Sequence, residues 1–371
     1  MKNKIFVLGL DGATLKLLDR KELPTFQRLI RRGISGTLLS RPAITSVAWP
    51  SMVSGVNAGK HNIFDFRRGD DLKLSIDKKA KELWDYVKTI AINVPMTFPV
   101  REIDGVMISG MMTPSLDSKC VHPEKEKDFL KSINYAFEPD ITPTSIEEGI
   151  KTKFKLIDRY INFDYELFFI VFREYDVIQH FFWNDNLEYY QLMDQYLKNF
   201  LKEHNEITHF FVVSDHGFTK IDKTFNLEKF IEQQAYSQFI EVGGWGALYL
   251  KDKSIKETVV DSLRDFKDNG KTILDVYPRE EIYWGPYAKE GPDIVVSPKR
   301  QLGYTLGMRT NEVIEKSDKK NGCHLEKGVV VLTGKDIIPT KKDYKIFDIF
   351  PTILKLLGKE IPDGIDGKSM I

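Results

Sequence analysis

The run ELFFIVFREYDVIQH, residues 166–180, decides how the rest of the chain is read. Its first seven residues are almost wholly apolar and rich in Phe, Ile and Val. A strand that is buried on both faces reads this way, as the inner strands of parallel sheets do. The apolar run stops at Arg173, and Asp176 and His180 follow with helical spacing. Strand, polar edge and helix start is the grammar of an α/β protein. Similar runs recur at Lys4–Leu10, Thr89–Val94, Val106–Ser109, His209–Ser214 and Gly328–Leu332.

Helical segments are expected between them. Ser145 with Glu148 has the form of a capping box, and Ile146, Ile150, Phe154, Ile157 and Ile161 form one stripe behind it. A second helix is expected from Asp185 to about Glu203. A third runs from Asp348 to Gly358, with Pro351 in its first turn and Gly358 as its stop. Strands alternating with helices predict a three-layer α/β sandwich with a mainly parallel central sheet. The segment from about 220 to 320 is more polar and less regular. It reads as a cap inserted into a single domain spanning 1–371.

The 54 basic and 54 acidic residues cancel, so the basic excess of a nucleic-acid binder is absent. Lysine pairs such as Lys319-Lys320 and Lys341-Lys342 read as solvated faces. Two cysteines, Cys120 and Cys323, are too few for a disulfide framework. No apolar run approaches the ~18 residues of a membrane helix. A strand starting almost at Met1 leaves no room for a signal peptide, so a cytoplasmic protein is expected.

The chemistry-bearing residues stand where predicted strands end. Asp11-Gly12 closes the first, Asp176 and His180 follow the run quoted above, and Asp215-His216-Gly217 closes HFFVVS. Gly322-Cys323-His324 precedes GVVVLTG. Each has an ordinary reading by itself: a turn for Asp-Gly, a salt bridge or cap for Asp176 with His180, a core histidine for His324. Together they place three Asp and three His on one sheet edge. Carboxylate and neutral imidazole are the ligands zinc and related ions take. Three buried carboxylates without a cation would repel one another and raise their own pKa values. Thr45, in PAITSVAWPSMVSG (42–55), stands at a helix start, where an N-cap is the plain reading. The same helix end also offers amide groups and a positive dipole to a phosphate.

These residues resemble the alkaline phosphatase superfamily, in particular its type I phosphodiesterase and nucleotide pyrophosphatase branch. The likeness runs through GLDG (9–12), SMVSG (51–55), GKHNIFDF (59–66), NVPMTFP (93–99), Asp176 with His180, SDHG (214–217), GCH (322–324) and IPDGIDG (361–367). It implies a hydrolase of phosphate esters with two divalent ions, most often Zn2+, with Mn2+ or Mg2+ as substitutes. Asp176, His180 and His324 would hold one ion. Asp11, Asp215 and His216, with the Thr45 oxygen, would hold the other. Thr45 would be the nucleophile and form a covalent phospho-threonine. The substrate would be a small phosphate ester or nucleotide, with phosphodiesters expected over monoesters. A phosphomonoesterase or phosphotransferase of the same superfamily is the alternative, and a metal-binding but inactive protein is the alternative of another class.

Two positions depart from the pattern. Animal nucleotide pyrophosphatases carry Thr-Phe-Pro-Asn where this chain has Thr45-Ser-Val-Ala48, and Asn62 follows His61 where Gly is usual. A direct role for His61 is not expected. The helix after Thr45 holds no basic residue before Lys60. Phosphate charge would therefore fall to the ions, or to Arg67, Arg68 or Arg309 folding over the site. Trp49 is expected on an apolar rim that receives the organic group. Cys323 is expected to point away from the ligands. Neither cysteine lies in the Cys-x-Pro-x-Arg pattern of sulfatases, and the serine nucleophile of cofactor-independent phosphoglycerate mutases is missing.

Overall fold

In the computed structural model the described residues are 3–183, 186–231, 235–307, 312–317 and 322–371. The main sheet has ten strands among the described residues, nine of them along one path: β1 (Ile5–Leu10), β2 (Ile34–Leu39), β3 (Thr89–Val94), β4 (Gly105–Ser109), β5 (Val121–His122), β6 (Leu167–Phe172), β7 (His209–Val213), β8 (Lys327–Gly334) and β9 (Thr340–Lys341). Their order is β9-β2-β8-β7-β1-β6-β3-β4-β5, and Tyr344–Lys345 pairs with β2 off this path. Strands β1, β3, β4, β6 and β7 are parallel, whereas β8 runs antiparallel to both β7 and β2.

Strand alternation creates the layers. In β6, Phe168, Ile170 and Phe172 join a core with Ile146, Ile150 and Tyr160 of α3 (Pro143–Tyr160) and Leu197 of α5 (Leu187–Glu203). Leu167, Phe169 and Val171 face the other side, against Trp49 and Met52 of α2 (Thr45–Ser54) and Phe350 and Ile353 of α6 (Ile349–Leu356). The remaining labelled helices are α1 (Pro24–Arg32) and α4 (Glu174–Phe181). Fully burying one such side chain contributes about 1.5–3 kcal/mol, so a strand apolar on both faces is held from two directions.

Several expectations need correction. The cap of α3 is Thr142, which accepts from the Ser145 amide, and Pro143 begins the helix. The sequence offered two hydroxyls three residues apart, and Pro143 selects the earlier because proline fits a first turn. Asp185, the expected start of α5, lies outside the described residues, as do Arg309 and Lys319-Lys320. Strand β2 was not foreseen. ISGTLL mixes Ser, Gly and Thr into an apolar pattern, so its composition hides a strand flanked on both sides.

Between β7 and β8 the chain leaves the main sheet. Residues Tyr236–Val242, Trp245–Leu250, Ile294–Pro298 and Leu274–Pro278 build a separate four-stranded antiparallel sheet. This excursion has its own core around Leu248, Val260 and Val296. A smaller cluster joins it to α2: Trp245, Val295 and Tyr283 pack on Ala43, Ile44 and Val47. Among the described residues, no helix is long and apolar enough to cross a membrane.

Candidate active site

The pairing register levels three strand ends. Leu10 of β1 lies opposite Phe172 of β6, and Gly9 lies opposite Val213 of β7. The residues that follow, Asp11, the start of α4, and Ser214-Asp215-His216, therefore emerge side by side. Helix α4 begins directly after β6 and carries Asp176 and His180 one turn apart on one face. His324 arrives from the far side of the excursion, on the short strand Gly322–Leu325, where it pairs with Phe218. Because β8 is antiparallel, it starts at the edge where its parallel neighbours end, and the segment just before it is delivered to the same place.

Gly12 closes the first loop with φ +76°, and a side chain there would lie 2.6 Å from the Phe218 ring. That ring lies against all three imidazoles, with centroid separations of 4.7 Å to His180, 5.6 Å to His216 and 5.1 Å to His324. Phe218 was missed in the sequence because an aromatic residue after Asp-His-Gly carries no chemical signal of its own.

Thr45 opens α2. Ile44 is the N-cap and makes no side-chain bond, so Thr45 occupies the first helical position and is not the cap expected from its type. Val47 and Ala48 return their amides to Ile44. The Thr45 hydroxyl turns into the site and lies 3.3 Å from His216 Nε2. Trp49 is fully buried and donates its indole N–H to Asp11 Oδ2 at 3.2 Å. It is therefore no rim for a substrate; one helical turn after Thr45 faces the sheet, and the apolar ring fills the layer behind Asp11.

The imidazoles are oriented from behind. Nδ1 of His180 lies 3.0 Å from the Gly322 carbonyl, Nδ1 of His216 lies 3.1 Å from that of Gly217, and Nδ1 of His324 lies 2.9 Å from that of Ala43. A carbonyl can only accept, so each Nδ1 carries the proton and each Nε2 turns its lone pair toward the site. Those lone pairs converge. His324 Nε2 is 3.1 Å from both His180 Nε2 and Asp176 Oδ1, and His180 Nε2 is 3.5 Å from Asp176 Oδ1. Around His216 Nε2 stand Asp11 Oδ1 at 3.5 Å, Asp215 Oδ2 at 3.3 Å and the Thr45 hydroxyl. Lone pairs this close repel unless a cation lies between them. Ligands about 2.0–2.1 Å from a tetrahedral zinc ion are spaced roughly 3.3 Å apart, which both sets match.

The charges make the same point. Asp11 Oδ1 and Asp215 Oδ2 are buried without hydrogen-bond partners among the described residues. Burial, then the carboxylates of Asp215 and Asp176, raises Asp11 well above the usual range, and burial pushes Asp215 up to about 7. Burial, with His324 close by, holds His216 well below an ordinary histidine and so uncharged. Asp176 differs: burial would raise it, but Arg173 and His180 hold it well below the usual range. Arg173 Nη1 donates to Asp176 Oδ2 at 2.5 Å, which leaves Oδ1 to face the imidazoles. Asp176 Oδ1 also lies 4.0 Å from His216 Nε2, so this carboxylate stands between the two groups. The donor set thus fits two cations.

Other expected residues lie elsewhere. His61 is buried, with Nε2 2.9 Å from Ser51 Oγ and Nδ1 accepting from the Ile63 amide. Asn62 has φ +67°, a left-handed position that suits Gly and that Asn tolerates. Arg68 pairs with Glu290 at 2.5 Å on the surface, and Arg67 is exposed. Cys323 is buried and turned from the ligands, donating to the Gly243 carbonyl.

Similarity to known proteins agrees with this geometry. Residues 5–328 match the family model described as "Type I phosphodiesterase / nucleotide pyrophosphatase". No curated protein matches in sequence. Among solved structures, human ectonucleotide pyrophosphatase / phosphodiesterase 5 superposes with TM-score 0.66 at 15% identity, covering 99% of this chain and 97% of that one. An inactive form of the murine protein in complex with AMP gives 0.64 at 17%, covering 97% and 96%. Phosphonoacetate hydrolase from Sinorhizobium meliloti 1021, in complex with phosphonoformate, gives 0.71 at 14%, covering 96% of each chain. At such identities the structures speak for the fold, and the family follows from the match over most of the chain. With acidic and imidazole groups gathered beyond the strand ends of an alkaline phosphatase-like sheet, this chain belongs to the type I phosphodiesterase / nucleotide pyrophosphatase family of phosphoester hydrolases.

Proposed function

We propose that the protein is a two-metal phosphodiesterase that works through a covalent phospho-threonine on Thr45. The observation that carries this reading is the gathering of three imidazole Nε2 atoms with the carboxylates of Asp11, Asp176 and Asp215, one of those imidazoles lying 3.3 Å from the Thr45 hydroxyl. Asp176, His180 and His324 would hold one ion, and Asp11, Asp215, His216 and the Thr45 oxygen the other, with Zn2+ the ion best suited to this donor set. Bound there, the ions would lower the pKa of the hydroxyl and of water and neutralise the phosphate oxygens.

In the first displacement Thr45 Oγ1 gives up its proton and bonds to phosphorus, and the ester oxygen leaves with the bonding pair and takes up one proton, so that the step is proton-neutral. In the second, a water oxygen attacks phosphorus, the bond to Thr45 breaks, and Thr45 regains its proton. The start of α2 directs amide groups and its dipole toward the transferred phosphate. Trp49 and Arg173 hold Asp11 and Asp176 in place. The excursion covers the site from the side of His324. A diester fits better than a monoester, because Arg173 is engaged by Asp176 and α2 supplies no cation for an additional phosphate charge. AMP bound to the murine relative makes a nucleotide the first organic group to test.

Thr45→Ala should lower kcat by at least ~10³-fold on bis-p-nitrophenyl phosphate, while Thr45→Ser keeps measurable activity. Metal analysis should find close to two equivalents per chain. A Thr45→Ala rate within tenfold of wild type would remove the covalent step. A higher kcat/KM for p-nitrophenyl phosphate than for the diester would reassign the substrate class.

A further inference from the structure

His324 is the one candidate ligand delivered from the far side of the excursion, and the buried side chain of Arg300 ties its backbone to the turn beside it. Arg300 is 5% exposed. Its Nε donates to the carbonyl of His324 at 3.0 Å, its Nη1 to that of Tyr304 at 3.1 Å, and its Nη2 to that of Gly244 at 2.7 Å and, more weakly, that of Gly243 at 3.5 Å. Among the described residues, all its hydrogen bonds run to backbone carbonyls. A planar fork of five N–H donors spans these segments in one fixed geometry, whereas a lysine ammonium offers three donors from a single point.

Gly243 and Gly244 form the hairpin turn between Tyr236–Val242 and Trp245–Leu250, with φ +58° and +79°. The turn lies directly on the imidazole: a Cβ at Gly243 would sit 2.1 Å from His324 Nδ1, and one at Gly244 2.4 Å from Cys323 Sγ. Cys323 also donates to the Gly243 carbonyl at 2.9 Å. On its other face the His324 ring stacks on His216, with centroids 3.7 Å apart. The ring is thus clamped between the site and a turn of the excursion.

We propose that Arg300 is a positioning residue for His324, so that the ion held by Asp176, His180 and His324 depends on docking of the Gly243–Gly244 turn. The Asp11–Asp215–His216 group touches this arrangement through the His216 ring, but its backbone is carried by β1 and β7, so it depends on the turn less. The inference rests on the two-metal reading, and the experiment separates the two. Chelated wild type and Arg300→Lys are titrated with Zn2+ by calorimetry, and the titration is repeated in an Asp215→Asn background. Wild type should show two sites. Arg300→Lys should weaken one of them 10–100-fold, as loss of an outer support of a metal ligand does, and leave the other within threefold. In the Asp215→Asn background the same change should weaken the remaining tight site.

Wild type that binds no zinc sinks the two-metal reading itself. Two sites in wild type with both unchanged in Arg300→Lys, or both weakened alike, overturn the role of Arg300. Circular dichroism checks the fold. Should Arg300→Lys fail to fold, Gly243→Ala stands in for it. The added methyl presses on His324, and the same one-site loss is expected; two unaltered sites overturn the proposal.

Discussion

Asp215→Asn should stabilise the protein in chelator while weakening its response to zinc. Asp215 is wholly buried, and one of its oxygens has no hydrogen-bond partner among the described residues. Burial pushes its carboxyl from the ordinary 3.8 to about 7. For a carboxylate raised in the folded state, destabilisation grows as pH climbs from the ordinary value to the folded one, and is complete above it. Three units at ~1.4 kcal/mol each give about 4 kcal/mol. The charge is shared with Asp11, so relief of about 2–4 kcal/mol is expected from one isosteric substitution. The amide oxygen of Asn can still accept from the Gly12 amide, as Asp215 Oδ1 does at 3.3 Å. At ~2.1 cal/mol/K per residue, 371 residues unfold with roughly 0.8 kcal/mol/K, so Tm in chelator at pH 8 should rise by about 3–5 °C. The advantage should shrink toward pH 4. Zinc at a thousandfold its Kd adds about 4 kcal/mol per site in wild type, and the variant should lose that gain at one site. The assay is thermal unfolding by circular dichroism in chelator and in zinc, from pH 5 to 8. A variant no more stable than wild type at pH 8 in chelator would refute the claim that these carboxylates are held together against their own repulsion.

Three further changes probe the surroundings. Trp49→Phe deprives Asp11 of its indole donor and should lower kcat/KM for bis-p-nitrophenyl phosphate by about 10–100-fold, whereas unchanged kinetics would mean that the bond does not orient Asp11. Lys153→Met leaves Glu174 as a lone charge in the core and should cost about 3–5 kcal/mol in urea unfolding, most of it recovered by adding Glu174→Leu. His61 is held down to about 3, mainly by burial and then by Lys78, so the unfolded chain takes up its proton first and stability falls as pH drops below 6.5. At pH 5 that loss is about 2 kcal/mol. His61→Gln should reduce the pH 7-to-5 difference in unfolding free energy by that amount, and equal differences would show that another group governs the acid limb.

Elements whose signals are local could be read directly from the chain. The apolar runs that became β1, β3, β6 and β7 are legible because a strand covered on both faces must be apolar throughout. The stop at Gly358 is legible because its φ of +66° suits glycine. The types of the candidate ligands were legible too, since Asp and His at the ends of such runs are costly to bury without a purpose. How those ligands stand relative to one another is set by strand pairing and packing. Level ends of β1, β6 and β7 follow from pairing register, and the approach of His324 follows from the reversed direction of β8. Neither leaves a mark in the local sequence. Arg173 beside Asp176, Trp49 behind Asp11 and Arg300 on the carbonyl of His324 escaped the sequence for a related reason. Each side chain has an unremarkable surface or core reading by type, and its partner is fixed by packing between layers that no residue spacing records.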